Sequence, residues 1–240
     1  MSTTSQVAYE EWHERFGVDA ESDAPWHRLV KAHLDARRDL AGRAVLEIGC
    51  GRGGFACWLA SRRPGPARLV AADFAHSAIA KGIEYAAARG LDQIAWEVAD
   101  IQAIAHPEAS FDTVISCETV EHVPAPRRAI SELARVLRPG GRLFLTTPNY
   151  LGTMGLYRGY MRLTGRKFTE EGQPINNFML LPRVSVWVAR AGLRVRAVDA
   201  VGHYLPLPGR PPVRLRALDG ARPLTRWLGL HSLVVAEKPR

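Results

Sequence analysis

Val45-Leu46-Glu47-Ile48-Gly49-Cys50-Gly51-Arg52-Gly53-Gly54 decides the fold. A short apolar run enters a glycine-rich turn, and a segment of helical composition (54–62) follows at once. Glycines let the backbone bend sharply and let a ligand approach with no Cβ in the way. Gly49, Gly51 and Gly54 fit G-x-G-x-x-G, and Asp73 follows 24 residues after Gly49, where a carboxylate accepts from a ribose hydroxyl. Taken alone, that match leaves a nicotinamide enzyme open.

Outward from this turn the chain alternates. Apolar runs at 43–48, 68–73, 93–98, 111–116 and 141–147 read as strands, and 54–62, 76–89 and 124–137 read as helices between them. Strands alternating with helices imply right-handed crossovers and a parallel sheet covered on both faces. Arg138-Pro139-Gly140-Gly141 ends the third of these helices. Upstream, 6–17 and 25–39 have helical character, with Trp12, Phe16, Trp26, Leu29, Val30 and Leu34 as apolar contacts. After Asn149 the rhythm breaks into a Gly-, Tyr- and Met-containing helical insertion (150–180). It resumes with a helix at 181–191 and strands at 193–201 and 231–237. The stretch 204–212 is too proline-rich for a central strand and is expected to be an irregular loop. The expectation is one α/β domain over 1–240: a Rossmann-like, doubly wound seven-stranded sheet. It comprises an N-terminal helical cap (1–40), a cofactor-binding core (41–149), a lid (150–180) and the end of the sheet (181–240).

Composition excludes more than it identifies. No stretch approaches 18 uncharged apolar residues, so no membrane span is expected. Residues 1–17 lack a basic segment followed by an apolar one, and three cysteines without paired spacing suit a cytoplasmic chain of free thiols. The net charge of +8 is uneven: residues 1–150 hold 17 Lys and Arg against 19 Asp and Glu, and residues 151–240 hold 15 against 5. The excess is arginine, 28 against 4 lysines, and could draw an anionic partner to the C-terminal part.

Three features turn the reading away from nicotinamide. Glu47 stands two residues before the first glycine, where a carboxylate repels a pyrophosphate but suits a zwitterionic amino-acid cofactor. Asp100 closes the third strand, which puts a second acceptor at the edge where such sheets bind ligands. The fourth strand ends in Cys117-Glu118-Thr119-Val120-Glu121-His122-Val123, before a helix and Arg138-Pro139-Gly140-Gly141.

Across 44–147, these motifs in this order resemble the class I S-adenosylmethionine-dependent methyltransferases. The resemblance implies that Gly49, Cys50, Gly51 and Gly53 wrap the methionine part. Asp73 takes the ribose hydroxyls with Phe74 beside the adenine, Asp100 and Ile101 meet the adenine, and Cys117 lines the floor.

Methyl transfer from a sulfonium is an in-line displacement in which the protein supplies alignment, water exclusion and, for a hydroxyl acceptor, proton removal. Glu118, Glu121 and His122, at i, i+3 and i+4, would share one face of a helical turn. Two carboxylates and an imidazole can hold Mg²⁺ or another divalent cation, which would acidify a coordinated hydroxyl. The cluster also resembles that of ubiquinone-pathway and metal-dependent sugar O-methyltransferases. Catalysis by His122 with Glu121 and no metal, and a structural prop, are the other readings. Asn149, Tyr150 and Asn177 are the expected acceptor contacts, with Tyr157, Tyr160, Phe168, Asn176 and Phe178 as further pocket residues. His203 and Tyr204 end the sixth strand, and a surface or cap-helix role is expected for His13, His27 and His33. The expected function is O-methylation of a small molecule (sugar, phenol or polyketide-like) by a monomer or homodimer. The rivals are an RNA methyltransferase, disfavoured because no RNA-binding module or lysine run is present, and a non-catalytic S-adenosylmethionine-binding protein.

Overall fold

The computed structural model describes residues 9–11, 21–165, 173–207, 210–220 and 225–240. Residues 9–11 are helical. Helix α1 (Pro25–His33) and a π-helical turn (Ala36–Leu40) lead into β1 (Ala44–Ile48), α2 (Gly54–Ala60), β2 (Arg68–Asp73), α3 (His76–Ala87), β3 (Ile94–Val98) and β4 (Phe111–Ser116). A 3₁₀ turn (Val120–His122), α4 (Pro126–Val136), β5 (Leu137–Pro148), α5 (Thr153–Leu163), α6 (Leu181–Arg190) and β6 (Arg194–Val201) follow. The chain closes with β7 (Tyr204–Leu207), β8 (Arg210–Arg214), α7 (Arg216–Gly220) and β9 (His231–Glu237). Helices α1, α4 and α6 each begin with a proline in the first two positions, where its missing N–H costs nothing and its fixed φ suits the helix.

The main sheet has the order β3-β2-β1-β4-β5-β9-β6. β1 to β5 are parallel, and β9 runs antiparallel between β5 and β6. From β1 the chain moves outward to β2 and β3, then returns across the sheet to β4. That reversal between β1 and β4 opens a crevice at the carboxyl ends of the strands, where sheets of this kind bind ligands.

Period-2 alternation sorts the strand residues into two cores. Leu46, Val114, Leu143 and Val234 face one side with α4 and α6. Val45, Ile115, Phe144 and Val235 face the other with α1, α2 and α3. Phe55, Phe111 and Phe144 are fully enclosed, each stabilising the fold by about 2–3 kcal/mol through lost apolar exposure. The buried Asp39 carboxylate takes Arg142 Nη1 at 2.6 Å and the N–H of Asp35 at 2.8 Å, and its carbonyl accepts from Thr113 Oγ1. Together these tie the N-terminal turn to β4 and β5.

Sequence and structure differ at three places. Helix 25–39 breaks at Leu34, whose backbone is extended, and restarts as the π-turn under an Asp35 cap. Arg138–Gly141 lies inside β5 as an outlooped stretch: the β4 partner jumps from Leu137 to Arg142 while β4 advances only from Phe111 to Thr113. Residues 204–212, expected to be irregular, contain both strands of an antiparallel hairpin, β7 with β8, separate from the main sheet. Proline is tolerated there because a two-stranded ribbon leaves half its N–H groups unpaired. Of the first helix only 9–11 is described, so Trp12, His13 and Phe16 lie outside the described residues, as does Phe168 in the insertion.

Glycines also set the spacing of α2 and α3 against β3. A Cβ on Gly82 would stand 2.5 Å from Trp96 Cζ3, and one on Gly53 2.2 Å from Cη2. Gly82→Ala adds about 1 kcal/mol of helix propensity, but the ring clash should outweigh it. Urea unfolding is expected to show a net loss of about 1–3 kcal/mol, and a stabilised variant would mean that the Trp96 ring yields freely.

Candidate active site

The first three strands and the turn after β1 end in one curved edge. Gly49, Gly51 and Gly53 have φ of 78°, 53° and 76°, left-handed values that other residues adopt only at a cost. A Cβ on Gly49 would meet Thr119 Oγ1 at 2.0 Å. Gly49 and Gly53 therefore buy close packing against Thr119 and Trp96, and the bend itself forms the cradle. Ala72 O accepts from both Gly49 N and Cys50 N, and the Asp73 carboxylate continues the pairing where β2 stops. Its Oδ2 accepts from Gly51 N at 2.9 Å and its Oδ1 from Ala75 N at 3.0 Å. Asp100 Oδ1 accepts from the backbone and side-chain N–H groups of Gln102. Glu47, Cys50, Asp73, Ile101 and Cys117 are all buried.

This edge fits S-adenosylmethionine. Buried carboxylates at the ends of successive strands suit a cofactor carrying ammonium and sulfonium charges.

Two residues of the N-terminal cap helix, Tyr9 and Glu10, reach this edge. Glu10 caps α3, accepting from His76 N at 2.6 Å and Ser77 N at 2.9 Å. Next to it the buried Tyr9 meets Phe74 edge-on, at 6.5 Å between centroids, and donates its hydroxyl to the His122 carbonyl at 2.8 Å. Burial above all, with the Glu121 and Asp73 carboxylates near, holds the Tyr9 phenol well above its ordinary pKa, so it stays a donor.

Glu118, Glu121 and His122 do not share a helical face. Glu118 has φ 45°, and the three residues that follow Thr119 form a 3₁₀ turn, so the i, i+3, i+4 geometry is never built. Glu121 is fully buried, with Oε1 3.6 Å from His122 Nε2. His122 Nδ1 lies 2.8 Å from the Ile175 carbonyl, which makes it the protonated nitrogen. Burial lowers the His122 pKa against the opposing pull of that carbonyl and of Glu118. Glu118 turns instead toward His231, Oε2 to Nδ1 at 3.7 Å. Among the described residues no three His, Cys, Asp or Glu side chains converge as a metal site.

Two expected acceptor contacts are structural instead. Asn149 is fully buried; its Nδ2 donates to the carbonyls of Trp227 and Gly229 and its Oδ1 accepts from Leu151 N and Leu181 N. Asn177 donates through Nδ2 to the carbonyls of Glu121 and Val123 and through its backbone N–H to Glu121 O. A carboxamide offers both donors and acceptors, so each bridges main chain that no strand pairs. Tyr150 packs inside the lid, stacked on Phe178 at 5.2 Å with the Arg158 guanidinium 4.5 Å from its ring.

Most histidines are committed elsewhere. His27 stacks on Phe55 at 4.8 Å and burial, with Lys31 adding, drives its pKa down to about 3. His33 pairs with Asp199, and His203 bonds Asp219 and Thr225 O through its two nitrogens. His231, which sequence reasoning passed over, opens β9 beside Pro148 of β5 and lies 5.3 Å from the Trp26 ring. Its signal was available: the first residue of an antiparallel strand beside β5 falls at the carboxyl edge.

A family model described as a methyltransferase domain matches residues 46–145. The chain is 31% identical over 222 residues to methyltransferase GfsG of Streptomyces halstedii, covering 90% of this chain and 75% of that protein. It is 39% identical over 132 residues to the ubiquinone biosynthesis O-methyltransferase of Xanthomonas oryzae pv. oryzae, 52% of each chain, so it spans about half of that relative. The solved structure of an S-adenosylmethionine dependent methyltransferase from Mesorhizobium loti superposes with a TM-score of 0.63 at 19% identity, covering 90% of this chain and 99% of that one.

Replacing Asp73 tests the edge. Asp73→Ala removes a charged acceptor and releases Gly51, so titration calorimetry should show S-adenosylhomocysteine binding weakened by about 1–3 kcal/mol. Unchanged affinity would detach Asp73 from the cofactor.

Proposed function

Because the chain belongs to the class I S-adenosylmethionine-dependent methyltransferases, we propose that it methylates a hydroxyl oxygen of a small molecule. One observation carries this reading. Past the cofactor edge, the ends of β4, β5 and β9 bring carboxylates and imidazoles together beneath the lid, and a hydroxyl, unlike an amine, needs its proton removed. S-adenosylmethionine supplies an electrophilic methyl group on a sulfonium. Gly49–Gly53, Asp73 with Phe74, and Asp100 with Ile101 hold the cofactor, Glu47 faces its amino-acid end, and Cys117 walls the floor. Tyr9 closes over the groove. His122, with Glu121, and His231, with Glu118, are the imidazoles available to the acceptor's proton. Both relatives carry methyltransferase names, and the second is named an O-methyltransferase, which supports oxygen as the receiving atom.

The basic C-terminal part does not favour RNA. Four of its arginines lie against aromatics and acids: Arg183 over Trp187, Arg158 over Tyr150, Arg214 on Asp219 and Arg196 on Glu237. Among the described residues no helix is long and apolar enough to cross a membrane.

The function is tested with methyl-labelled S-adenosylmethionine offered with catechol, methyl glycosides, a hydroxylated macrolactone and total RNA. Label is expected on the oxygen of a small acceptor, and RNA retention should be weak and fall steeply with salt, as counterion release requires. Label in RNA above background would overturn the proposal.

Magnesium assistance needs carboxylate oxygens converging within about 2.0–2.6 Å of one point, and among the described residues no three His, Cys, Asp or Glu side chains converge as a metal site. Turnover is therefore expected to survive EDTA within about twofold, consistent with imidazole-based proton transfer alone. Loss of turnover that Mg²⁺ restores would show that the three side chains close around a cation in the working enzyme.

A further inference from the structure

We propose that His231 is the catalytic base that takes the acceptor's proton, and that Glu118 is the positioning residue that orients it. The proposal rests on the hydroxyl-acceptor reading and names the residues that serve it.

The two side chains come from opposite ends of the sequence. Glu118 follows β4, and His231 opens β9 at the level of Pro148, the last residue of β5. Both are largely enclosed, with 15% and 14% of the side chain exposed. Glu118 Oε1 and His231 Nδ1 are buried and make no hydrogen bond, and Oε2 stands 3.7 Å from Nδ1. Buried polar atoms left unbonded on two neighbouring side chains are costly unless they serve something. With Nδ1 turned to Glu118, Nε2 is the nitrogen left to meet an acceptor. The ring has little freedom to turn: Trp26 packs at 5.3 Å, and a Cβ on Gly202 would already meet His231 Cδ2 at 2.9 Å.

The backbone pays to hold this arrangement. Glu118 sits at φ 45°, a left-handed value unfavourable for a residue with a Cβ, and its N–H is held by Thr146 through both the carbonyl, at 3.2 Å, and Oγ1, at 3.1 Å. Strain over-determined by its neighbours is where function is sought. His122 is the weaker candidate, because Nδ1 is spent on Ile175 and Nε2 faces the buried Glu121 carboxylate.

A carboxylate on Nδ1 selects the tautomer with the proton there and leaves the Nε2 lone pair toward the acceptor. The 3.7 Å separation is an ion-pair contact that tightens to a hydrogen bond when acceptor fills the site. The acceptor oxygen then bonds the methyl carbon as the carbon–sulfur pair stays on sulfur, and the hydroxyl proton passes to Nε2. Imidazolium beside Glu118 is the charge-balanced product.

The test compares wild type with Glu118→Gln and His231→Gln. Long-range ¹⁵N–¹H spectra of histidine-labelled protein, with the His231 signals identified by their loss in His231→Gln, report the tautomer without any turnover. Wild type is expected to carry the His231 proton on Nδ1, and Glu118→Gln to move it toward Nε2. A proton on Nε2 in wild type overturns the pairing. With the hydroxyl acceptor that wild type methylates best, His231→Gln should lose about 100-fold or more in kcat. KM and S-adenosylhomocysteine affinity should stay within about threefold. Glu118→Gln should lose less, and the double variant should be no slower than His231→Gln, because the carboxylate acts through the ring. A kcat loss below tenfold in His231→Gln overturns the proposal. If wild type methylates no hydroxyl probe, the function reading fails, and the tautomer alone then decides the pair.

Discussion

At the end of β2 the ladder stops, and the Asp73 carboxylate takes over from it, holding Gly51 N–H with one oxygen and Ala75 N–H with the other. The cleft depends on this substitution of side chain for backbone. In the glycine turn Ala72 O takes the Gly49 and Cys50 N–H groups, but no strand reaches Gly51 N–H, and leaving it buried and unbonded would cost about 1–3 kcal/mol. The carboxylate satisfies it and anchors its own loop through Ala75 N–H. Thr119 and Trp96 then fill the space that side chains at Gly49 and Gly53 would need, so the turn cannot relax outward.

Further along the edge, amides replace ladders. Asn149 joins the end of β5 to 227–229 and the start of α6, and Asn177 joins the lid to the turn carrying Glu121. Both are polar side chains spent on rigidity, and they fix the lid over the acceptor side. On the cofactor side Tyr9 and Glu10 do the corresponding work, tying the N-terminal segment to α3 and to His122. Segments far apart in sequence thus border the crevice between β1 and β4 from two directions.

Within that enclosure the ionisable groups are sorted by what their neighbours leave them. His203 is saturated, His122 is fixed by a carbonyl, and His231 stands beside a glutamate at left-handed φ. The strain at Glu118 costs on the order of 1–2 kcal/mol, which the two bonds from Thr146 offset. A local sacrifice of backbone comfort for side-chain placement is affordable only where the sheet behind it is rigid, as the fully buried ends of β4 and β5 are.

The sequence by itself determined the sheet, its strand order class and its ligand edge. Those follow from periodicity, from the glycine turn and from acids at successive strand ends, all of which are properties of neighbouring residues. Asp73 ends β2 and Asp100 follows β3 by two residues, and parallel strands deliver such positions to the same edge. Only the tertiary structure decided the chemistry side. The spacing of Glu118, Glu121 and His122 was read as one helical face, and a 3₁₀ turn after a left-handed residue sent them apart. Asn149 and Asn177 looked like acceptor contacts until the unpaired main chain they bridge was visible. Tyr9 carries no local signature, and His231 only that of opening a strand, because what each touches is brought to it by the return of β9 beside β5 and by the N-terminal segment folding back over α3. Contacts across more than a hundred residues are settled by the packing of layers, and no window of sequence contains them.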